Sequence, residues 1–249
     1  LKLNLFGAYT YNIVENSQYL PTSVWANGQA YKGTKKRESL LGNMMLTYKK
    51  NWKKHFFDVL ALAELQKETY TGYYTTVSNF STDKFGYNNL QAGALRLWEG
   101  TNSYYDQPRL ASFMGRFNYT YADRYVLTLN ARTDASSKFG ANHKWGFFPS
   151  ASAAWVISEV EFMKQLPMVD NLKFRIGYGL SGNQSGIDSY TTLNLVKPNG
   201  VVPVGNSAVV SLGDLRTTNP DLKWEVKPTF NTGFDLALYG TRLLLSASY

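Results

Sequence analysis

The chain has 249 residues, of which 15% are aromatic, and its net charge is +8. It contains no cysteine, which excludes disulfides and thiolate metal sites, and no apolar run approaches the roughly 20 residues that a membrane-spanning helix requires. The basic residues are scattered singly except at 32–37 and 49–54, where we interpret them as solvated turns, so the charge does not indicate a nucleic-acid ligand.

Alternation between apolar and polar side chains marks the first part of the chain as strands. Three strands are predicted here, at 1–13, 39–48 and 55–67. A polar loop is predicted at 14–37 and a short lysine-rich turn at 49–54. The segment 68–108, rich in Tyr, Thr, Asn and Gly, is predicted to be a second long loop.

The clearest pattern is a hairpin in the middle of the chain. Its strands, at 110–120 and 125–134, are joined by the turn Tyr121-Ala122-Asp123-Arg124. On one face lie Phe113, Phe117, Leu127 and Leu129, while the opposite face carries charged and amide side chains. The apolar face ends in tyrosines, so the sheet is predicted to separate lipid from water.

Four more strands complete the pattern, at 145–157, 172–181, 224–238 and 242–249. Loops are predicted at 135–144 and 182–223, and a turn at 239–242. The connection 158–171 contains one helical turn at 161–166.

Long and short connections therefore alternate along nine strands, as in a transmembrane barrel. We predict that the turns near 49–54, 121–124, 158–171 and 239–242 lie at one rim, and that the long loops lie at the other. The lipid-facing set is Phe113, Phe117, Leu127, Leu129, Phe174, Ile176, Leu243 and Leu245. Nine strands alone would leave two open edges in lipid, so residues 1–249 are predicted to be part of one larger closed barrel domain.

Several motifs resemble those of SusC/RagA-type TonB-dependent transporters, from about 109 to 249. They include Asp123-Arg124-Tyr125-Val126-Leu127-Thr128, Ser136-Ser137-Lys138-Phe139-Gly140, Trp145-Gly146-Phe147-Phe148-Pro149-Ser150 and Asn219-Pro220-Asp221-Leu222-Lys223-Trp224-Glu225. Residues 1–108 fit the same pattern loosely. Ala135 stands where the family usually has Gly, and Lys227-Pro228 replaces a more usual Thr and its neighbours. Neither departure changes the expected fold.

The resemblance implies an all-β, antiparallel transmembrane β-barrel of roughly 22 strands, filled by a plug, of which this chain is a fragment. It implies TonB-dependent import of a large nutrient, an oligosaccharide or a peptide, through the cell outer membrane. A SusD-like surface lipoprotein would cap the long loops, and TonB would act through an N-terminal region that is missing from this sequence. No cofactor, nucleic acid or enzymatic chemistry is expected.

Three short motifs have simpler explanations than a chemical site. Gly177-x-Gly179-x-x-Gly182 spells a dinucleotide fingerprint, but no helix can follow it, so we interpret the glycines as small residues on a crowded strand end. His55 and His143 lack carboxylates at ligand spacing, so no metal site is predicted. Ser136-Ser137-Lys138 lacks the second half of a nucleophilic site.

The candidate ligand-binding residues lie on the polar strand face and in the long loops. Arg116, Arg132, Asp134 and Arg175 share the face predicted to line the lumen, where they either pair structurally or contact solute. Tyr73, Tyr74, Tyr104 and Tyr105 are candidates for stacking on sugar. Trp145, Trp155 and Trp224 are predicted to anchor strand ends at the membrane interface.

Two other classes of protein remain as alternatives. A passive outer-membrane porin would share the strands and loops but lack a plug and a TonB segment. A secreted β-rich glycan-binding module or adhesin would need its apolar strand faces packed together rather than exposed.

Overall fold

The structure, a computed structural model, describes all 249 residues and is built from antiparallel strands. Thirteen strands form: β1 Lys2–Leu20, β2 Gln29–Trp52, β3 His55–Phe80, β4 Gly93–Leu95, β5 Thr101–Asp106, β6 Arg109–Tyr121, β7 Tyr125–Ser136, β8 Trp145–Val156, β9 Val169–Asn183, β10 Val196–Val204, β11 Ser207–Asp214, β12 Glu225–Leu238 and β13 Leu243–Ser248. The only helices are five 3₁₀ turns of three residues: Gly86–Asn88, Leu90–Ala92, Trp98–Gly100, Ile157–Glu159 and Met163–Gln165. No helix is both long enough and apolar enough to cross a membrane.

Eleven strands form one sheet, and nine of them follow each other in the order β1-β2-β3-β6-β7-β8-β9-β12-β13. These nine are the strands that the alternation predicts. Strands β4 and β5 pair back onto β3, and β10 with β11 forms a separate two-stranded sheet. The main sheet is open, with β1 and β13 as its edge strands, and the predicted all-β antiparallel fold is confirmed.

The chain forms two compact units. Unit 1 comprises residues 1–6, 42–65 and 110–249, and unit 2 comprises residues 7–41 and 66–109. The assignment of residues 1–249 to a single barrel domain stays a prediction.

In unit 1 the strand register places apolar side chains in rows on one face, which we call the outward face. Tyr125 pairs with Trp155, Leu129 with Ala151, and Phe174 with Phe234. Leu129, Ile176 and Phe234 are 42%, 41% and 52% exposed. No second sheet or helix covers this face, which is the arrangement that a lipid-facing surface requires and that a soluble module would not have.

The short turns of unit 1 lie at one rim, as predicted, and backbone hydrogen bonds join them. The Ala122 amide donates to the Lys54 carbonyl at 2.7 Å, and the Val156 amide donates to the Arg124 carbonyl at 2.7 Å. The Tyr239 amide donates to the Met168 carbonyl at 3.0 Å. We call this edge the turn rim.

The turns are tight because of their backbone conformation. Ala122 and Asp123 have φ values of 52° and 57°, and this left-handed conformation lets three residues, 122–124, connect the paired residues Tyr121 and Tyr125. At the next hairpin, Tyr239, Gly240 and Thr241 all have positive φ. The helical turn predicted within 161–166 forms at Met163–Gln165.

Three predicted loops are wrong in extent because the strands are longer than their alternation suggests. The loop at 14–37 is reduced to 21–28, since β1 runs to Leu20 and β2 begins at Gln29. The loop at 68–108 contains the second half of β3 together with β4 and β5. The loop at 182–223 contains the β10–β11 hairpin. These strands lack a contrast between an apolar and a polar face, and valines lie on both faces of the β10–β11 hairpin. A periodicity argument therefore misses them, but ladder hydrogen bonds do not require such a contrast.

Candidate functional site

The charged residues predicted to line the lumen do share one face of unit 1, opposite the outward face. Arg132 pairs with Asp134 (Nε to Oδ2, 2.8 Å), and its Nη2 donates to the Ser112 hydroxyl at 3.1 Å. Ser112 and Asp134 are buried, at 1% and 7% exposure. Arg132 and Asp134 therefore form a fixed, internally neutralised pair on β7.

A second pair lies further along the same face. Arg175 on β9 contacts Asp235 on β12, with Nε 3.2 Å from Oδ2, and Ser246 donates to the same carboxylate at 2.7 Å. These contacts join three consecutive strands, so the structure favours a structural role for Arg175. The ion pair is formed within this chain, between β9 and β12.

Arg116 differs from the other two arginines. Its Nε donates to the Asn130 amide oxygen at 3.0 Å, and the residue is exposed. It forms no ion pair, so its positive charge is not neutralised by this chain. Among the three candidate arginines, it is the one whose charge is available to a ligand.

The four candidate tyrosines lie in unit 2 on the β3–β5 strand pair, not in a loop, and the register separates them. Gly72 pairs with Tyr104 and Tyr73 with Ser103. Because side chains alternate along a strand, Tyr74 and Tyr104 lie on one face while Tyr73 and Tyr105 lie on the other. The four rings therefore cannot form one binding surface.

The face with Tyr74 and Tyr104 carries additional aromatic rings. Tyr31 on β2 packs against Tyr74 with ring centroids 5.8 Å apart. The Tyr104 ring lies over Gly72, where an added Cβ would come within 2.6 Å of it. Tyr70 shares this face, two residues before Gly72. We call Tyr31, Tyr70, Tyr74 and Tyr104 the tyrosine face; the sequence pattern missed Tyr31 and Tyr70 because strand pairing, not proximity in the chain, groups them.

An ion pair lies beside the tyrosine face. Arg37 Nη2 is 2.6 Å from Glu68 Oε1 and its guanidinium lies 5.7 Å from the Tyr70 ring centroid, while the Tyr70 hydroxyl donates to Glu68. The Glu68 carboxylate thus accepts hydrogen bonds from both Tyr70 and Arg37, which fixes the orientation of Arg37.

The prediction that Trp224 anchors a strand end at the membrane interface is wrong, because its side chain is packed inside an aromatic cluster. It is buried at 9% exposure against Phe139 and Phe148, with ring centroids 4.6 and 5.4 Å away, and its Nε1 donates to the Lys144 carbonyl at 2.9 Å. Trp224 lies just before β12, so the cluster joins the loop after β7 to the end of the long loop at 184–224. Trp145 and Trp155, by contrast, are exposed on the outward face at the two ends of β8, and their place at the membrane interface stays a prediction.

Glycines allow this packing at two points. A Cβ on Gly182 would come 2.2 Å from the Phe148 ring, and one on Gly140 would come 1.9 Å from the Pro220 carbonyl oxygen. Gly177 and Gly179 lie within β9 against Ser152 and Ser150. The glycine motif of β9 is thus explained by close approach on a crowded strand, as we interpreted it.

The two histidines and the Ser136-Ser137-Lys138 motif do not form a common site. His55 Nδ1 contacts the Tyr119 hydroxyl at 2.8 Å, and His143 Nε2 lies 3.9 Å from the Asp221 carboxylate. The two histidines therefore have different partners. The Ser136 hydroxyl accepts a hydrogen bond from the Lys138 amide at 3.3 Å and caps the loop locally.

The long loop projects a hairpin with apolar side chains on both of its faces. Val202 pairs with Val209 on one face, and Val201 with Val210 on the other. All four valines are 43–45% exposed. An exposed apolar surface of this kind is typical of an interaction site.

The comparisons with known proteins all indicate the same family. A family model for the β-barrel of TonB dependent receptor-like proteins matches residues 1–249. The chain is 34% identical over 242 residues to TonB-dependent receptor P3 of Formosa agariphila, covering 94% of this chain and 24% of that protein. It is 30% identical over 237 residues to TonB-dependent receptor SusC of Bacteroides thetaiotaomicron, covering 92% of this chain and 23% of that protein.

Among solved structures, that of the RagAB peptide transporter matches 99% of this chain and 27% of the other chain, with a TM-score of 0.84 and 23% identity. At that identity the likeness describes the fold. The chain spans about a quarter of the length of each of these relatives.

Proposed function

Because the chain belongs to the TonB-dependent receptor-like β-barrel family, whose members are outer-membrane proteins, we propose that the protein actively imports a large nutrient across the outer membrane. The nutrient is an oligosaccharide or a peptide, and TonB supplies the energy. The observation that carries the proposal is the family match over residues 1–249, together with an exposed apolar face on one side of the sheet and a polar face on the other.

The mechanism that we propose is capture followed by release. Solute is held between the long loops and a SusD-like surface lipoprotein, and TonB then displaces a plug so that the solute passes through the barrel. Binding at the loops is thereby coupled to a change of conformation. The exposed valines of the β10–β11 hairpin support a protein partner on the loop side, since apolar surface is stabilised when a partner covers it.

Within this function, we assign the first contact with solute to the tyrosine face. Four rings on one side of neighbouring strands offer flat apolar surfaces with hydroxyl groups beside them, which suits the stacking of sugar rings. The Arg37–Glu68 pair lies at the edge of the same face and supplies fixed hydrogen-bonding groups. Arg116 on the polar face of unit 1 is the cationic contact with solute that we assign to that unit.

Uptake of labelled nutrient by cells that express the full-length protein tests the proposal. Oligosaccharide and peptide mixtures are offered separately, with and without a protonophore that collapses the inner-membrane potential. We expect uptake of one class only, abolished by the protonophore. Uptake that persists without the potential would support the passive porin instead and contradict the proposal.

The tyrosine assignment gives a paired comparison. We expect Tyr74→Ala with Tyr104→Ala to weaken solute binding by about ten-fold or more, since each ring that a solute covers removes apolar area from water at about 25 cal/mol per Å². Tyr73→Ala with Tyr105→Ala, on the opposite face of the same strands, is the matched control and should leave binding within about two-fold. Calorimetry on the purified full-length protein measures both, and equal losses would refute the assignment.

A further inference from the structure

The lysine-rich turn between β2 and β3 is left unexplained by transport. Lys53 and Lys54 form the turn itself, with Lys53 at a φ of 53°. Lys49 is 3.3 Å from Asp58 and is neutralised by it. Lys50, Lys53 and Lys54 are exposed and form no ion pair, so three positive charges lie close together at the turn rim.

A chain of aromatic rings extends along the turn rim from these lysines. Trp52 packs on His55 with centroids 5.8 Å apart, and His55 lies 5.0 Å from Tyr121. The chain continues from Tyr121 to Tyr125 at 6.5 Å and from Tyr125 to Trp155 at 6.3 Å. Tyr125 and Trp155 are on the outward face, as their pairing shows. Such rings are enriched at the level of lipid headgroups, so this row locates the membrane interface.

Strand geometry places Lys50 on the same side as these rings. The Lys49–Asp58 contact puts residues 49 and 58 on one face of the hairpin, and the contact between Trp52 and His55 puts those residues on the other. Lys50 lies two residues before Trp52 and therefore shares its face. A lysine stem can lie along apolar surface while its ammonium reaches the polar layer.

We propose that Lys50, Lys53 and Lys54 bind the headgroup phosphate of an anionic phospholipid in the leaflet at the turn rim, with Trp52 beside the glycerol region. The argument is charge complementarity at a depth that the aromatic row fixes. Lys53 and Lys54 approach the phosphate from the turn, and Lys50 approaches it from the outward face. The nearest acidic residue in the neighbouring turn is Asp123, next to Ala122, whose amide donates to the Lys54 carbonyl. Asp123 forms no ion pair with Lys50, Lys53 or Lys54.

The test uses the full-length transporter, purified in mild detergent and analysed by native mass spectrometry with added phosphatidylglycerol or phosphatidylethanolamine. The variant is Lys50→Gln with Lys53→Gln and Lys54→Gln. We expect its phosphatidylglycerol affinity to fall about five-fold for each lysine replaced. The matched control is Lys32→Gln with Lys35→Gln and Lys36→Gln, which removes three exposed, unpaired lysines elsewhere and should keep wild-type affinity.

Two further measurements distinguish binding of a lipid from binding of free phosphate, and loss of charge from loss of folding. Replacing the three lysines by Arg should preserve binding, and millimolar inorganic phosphate should not displace phosphatidylglycerol. Competition by inorganic phosphate, an equal loss in both Gln variants, or an equal loss of phosphatidylethanolamine would each overturn the proposal. Lipid binding is read independently of uptake, so its failure would leave the transport proposal untouched.

Discussion

Adjacent residues of a strand face opposite environments here, and Leu129 shows the consequence for stability. Leu129 lies on the outward face and is 42% exposed. We expect Leu129→Arg to destabilise the full-length barrel by about 2–4 kcal/mol, because an arginine on the lipid face near the midplane loses its hydration. Urea unfolding in phospholipid vesicles, followed by the heat-modifiable mobility of the barrel, measures the change.

The control for Leu129 is a charge on the other side of the same hairpin. Thr128 is next to Leu129 in the chain and pairs with Asn118 on the polar face. Thr128→Arg should change the unfolding free energy by about 1 kcal/mol at most, since water or polar groups contact that face. A larger cost for Thr128→Arg than for Leu129→Arg would reverse the assignment of the two faces.

A second residue-scale prediction concerns Asp83 in unit 2. Its carboxylate accepts hydrogen bonds from the Tyr19 hydroxyl at 2.7 Å and the Thr22 hydroxyl at 2.8 Å. The hydrogen bond from Tyr19 lowers the pKa of Asp83 most, and the hydrogen bonds from Thr22 lower it further. The contact fastens the segment after β3 to the end of β1.

Because the folded pKa of Asp83 is lowered, its contribution is complete above the ordinary carboxyl value and is lost as pH falls through the lowered one. We therefore expect pepsin cleavage near Phe85 and Tyr87 to rise only below about pH 4. Asp83→Asn should be cleaved at those sites across the acidic range. Identical cleavage profiles for the two proteins would show that this contact does not hold the segment.

At the scale of elements, the Trp224 cluster determines how the long loop is held. We expect Trp224→Ala to remove about 3–5 kcal/mol of packing and one hydrogen bond, and so to loosen residues 184–223 while the strands stay paired. Limited trypsin digestion should then cleave after Arg216, whereas Lys197 precedes Pro198 and stays uncut. Trp145→Ala is the matched control, because Trp145 is 58% exposed and packs against no loop. Resistance of both variants would show that the cluster is not the anchor.

At the scale of the whole molecule, the register fixes which connections share a rim. Val169 at the start of β9 pairs with Leu238 near the turn rim, and Asn183 at its end pairs with Glu225 at the opposite end. The loop containing Gly200 therefore leaves from the end opposite Ala122. We expect a membrane-impermeant maleimide to label Gly200→Cys in intact cells, and Ala122→Cys only after the outer membrane is permeabilised. Residues 1–249 contain no native cysteine that the maleimide could label.

The nine strands of the main path, their two faces and the turn rim could be predicted from the sequence. Phe117, Leu127 and Ile176 alternate with polar residues, and this alternation exists only where one strand face meets lipid and the other meets polar groups. The extensions of β1, β2 and β3 lack such a difference between faces, so their pairing left no periodic signal. Hydrogen bonds between backbones hold these extensions, and those bonds are the same for every side chain.

The candidate site depended on tertiary structure for a related reason. Sequence selected Arg116, Arg132, Asp134 and Arg175 by parity, but only the positions of Asp134 and Asp235 show that two of the three arginines are neutralised. Sequence likewise grouped Tyr73 with Tyr74, although strand geometry places them on opposite faces. The sequence predicted Trp224 at the membrane interface, whereas in the structure it packs against Phe139 and Phe148. Parity along one strand is a local property, whereas partners across strands and loops are chosen by the register of the folded sheet.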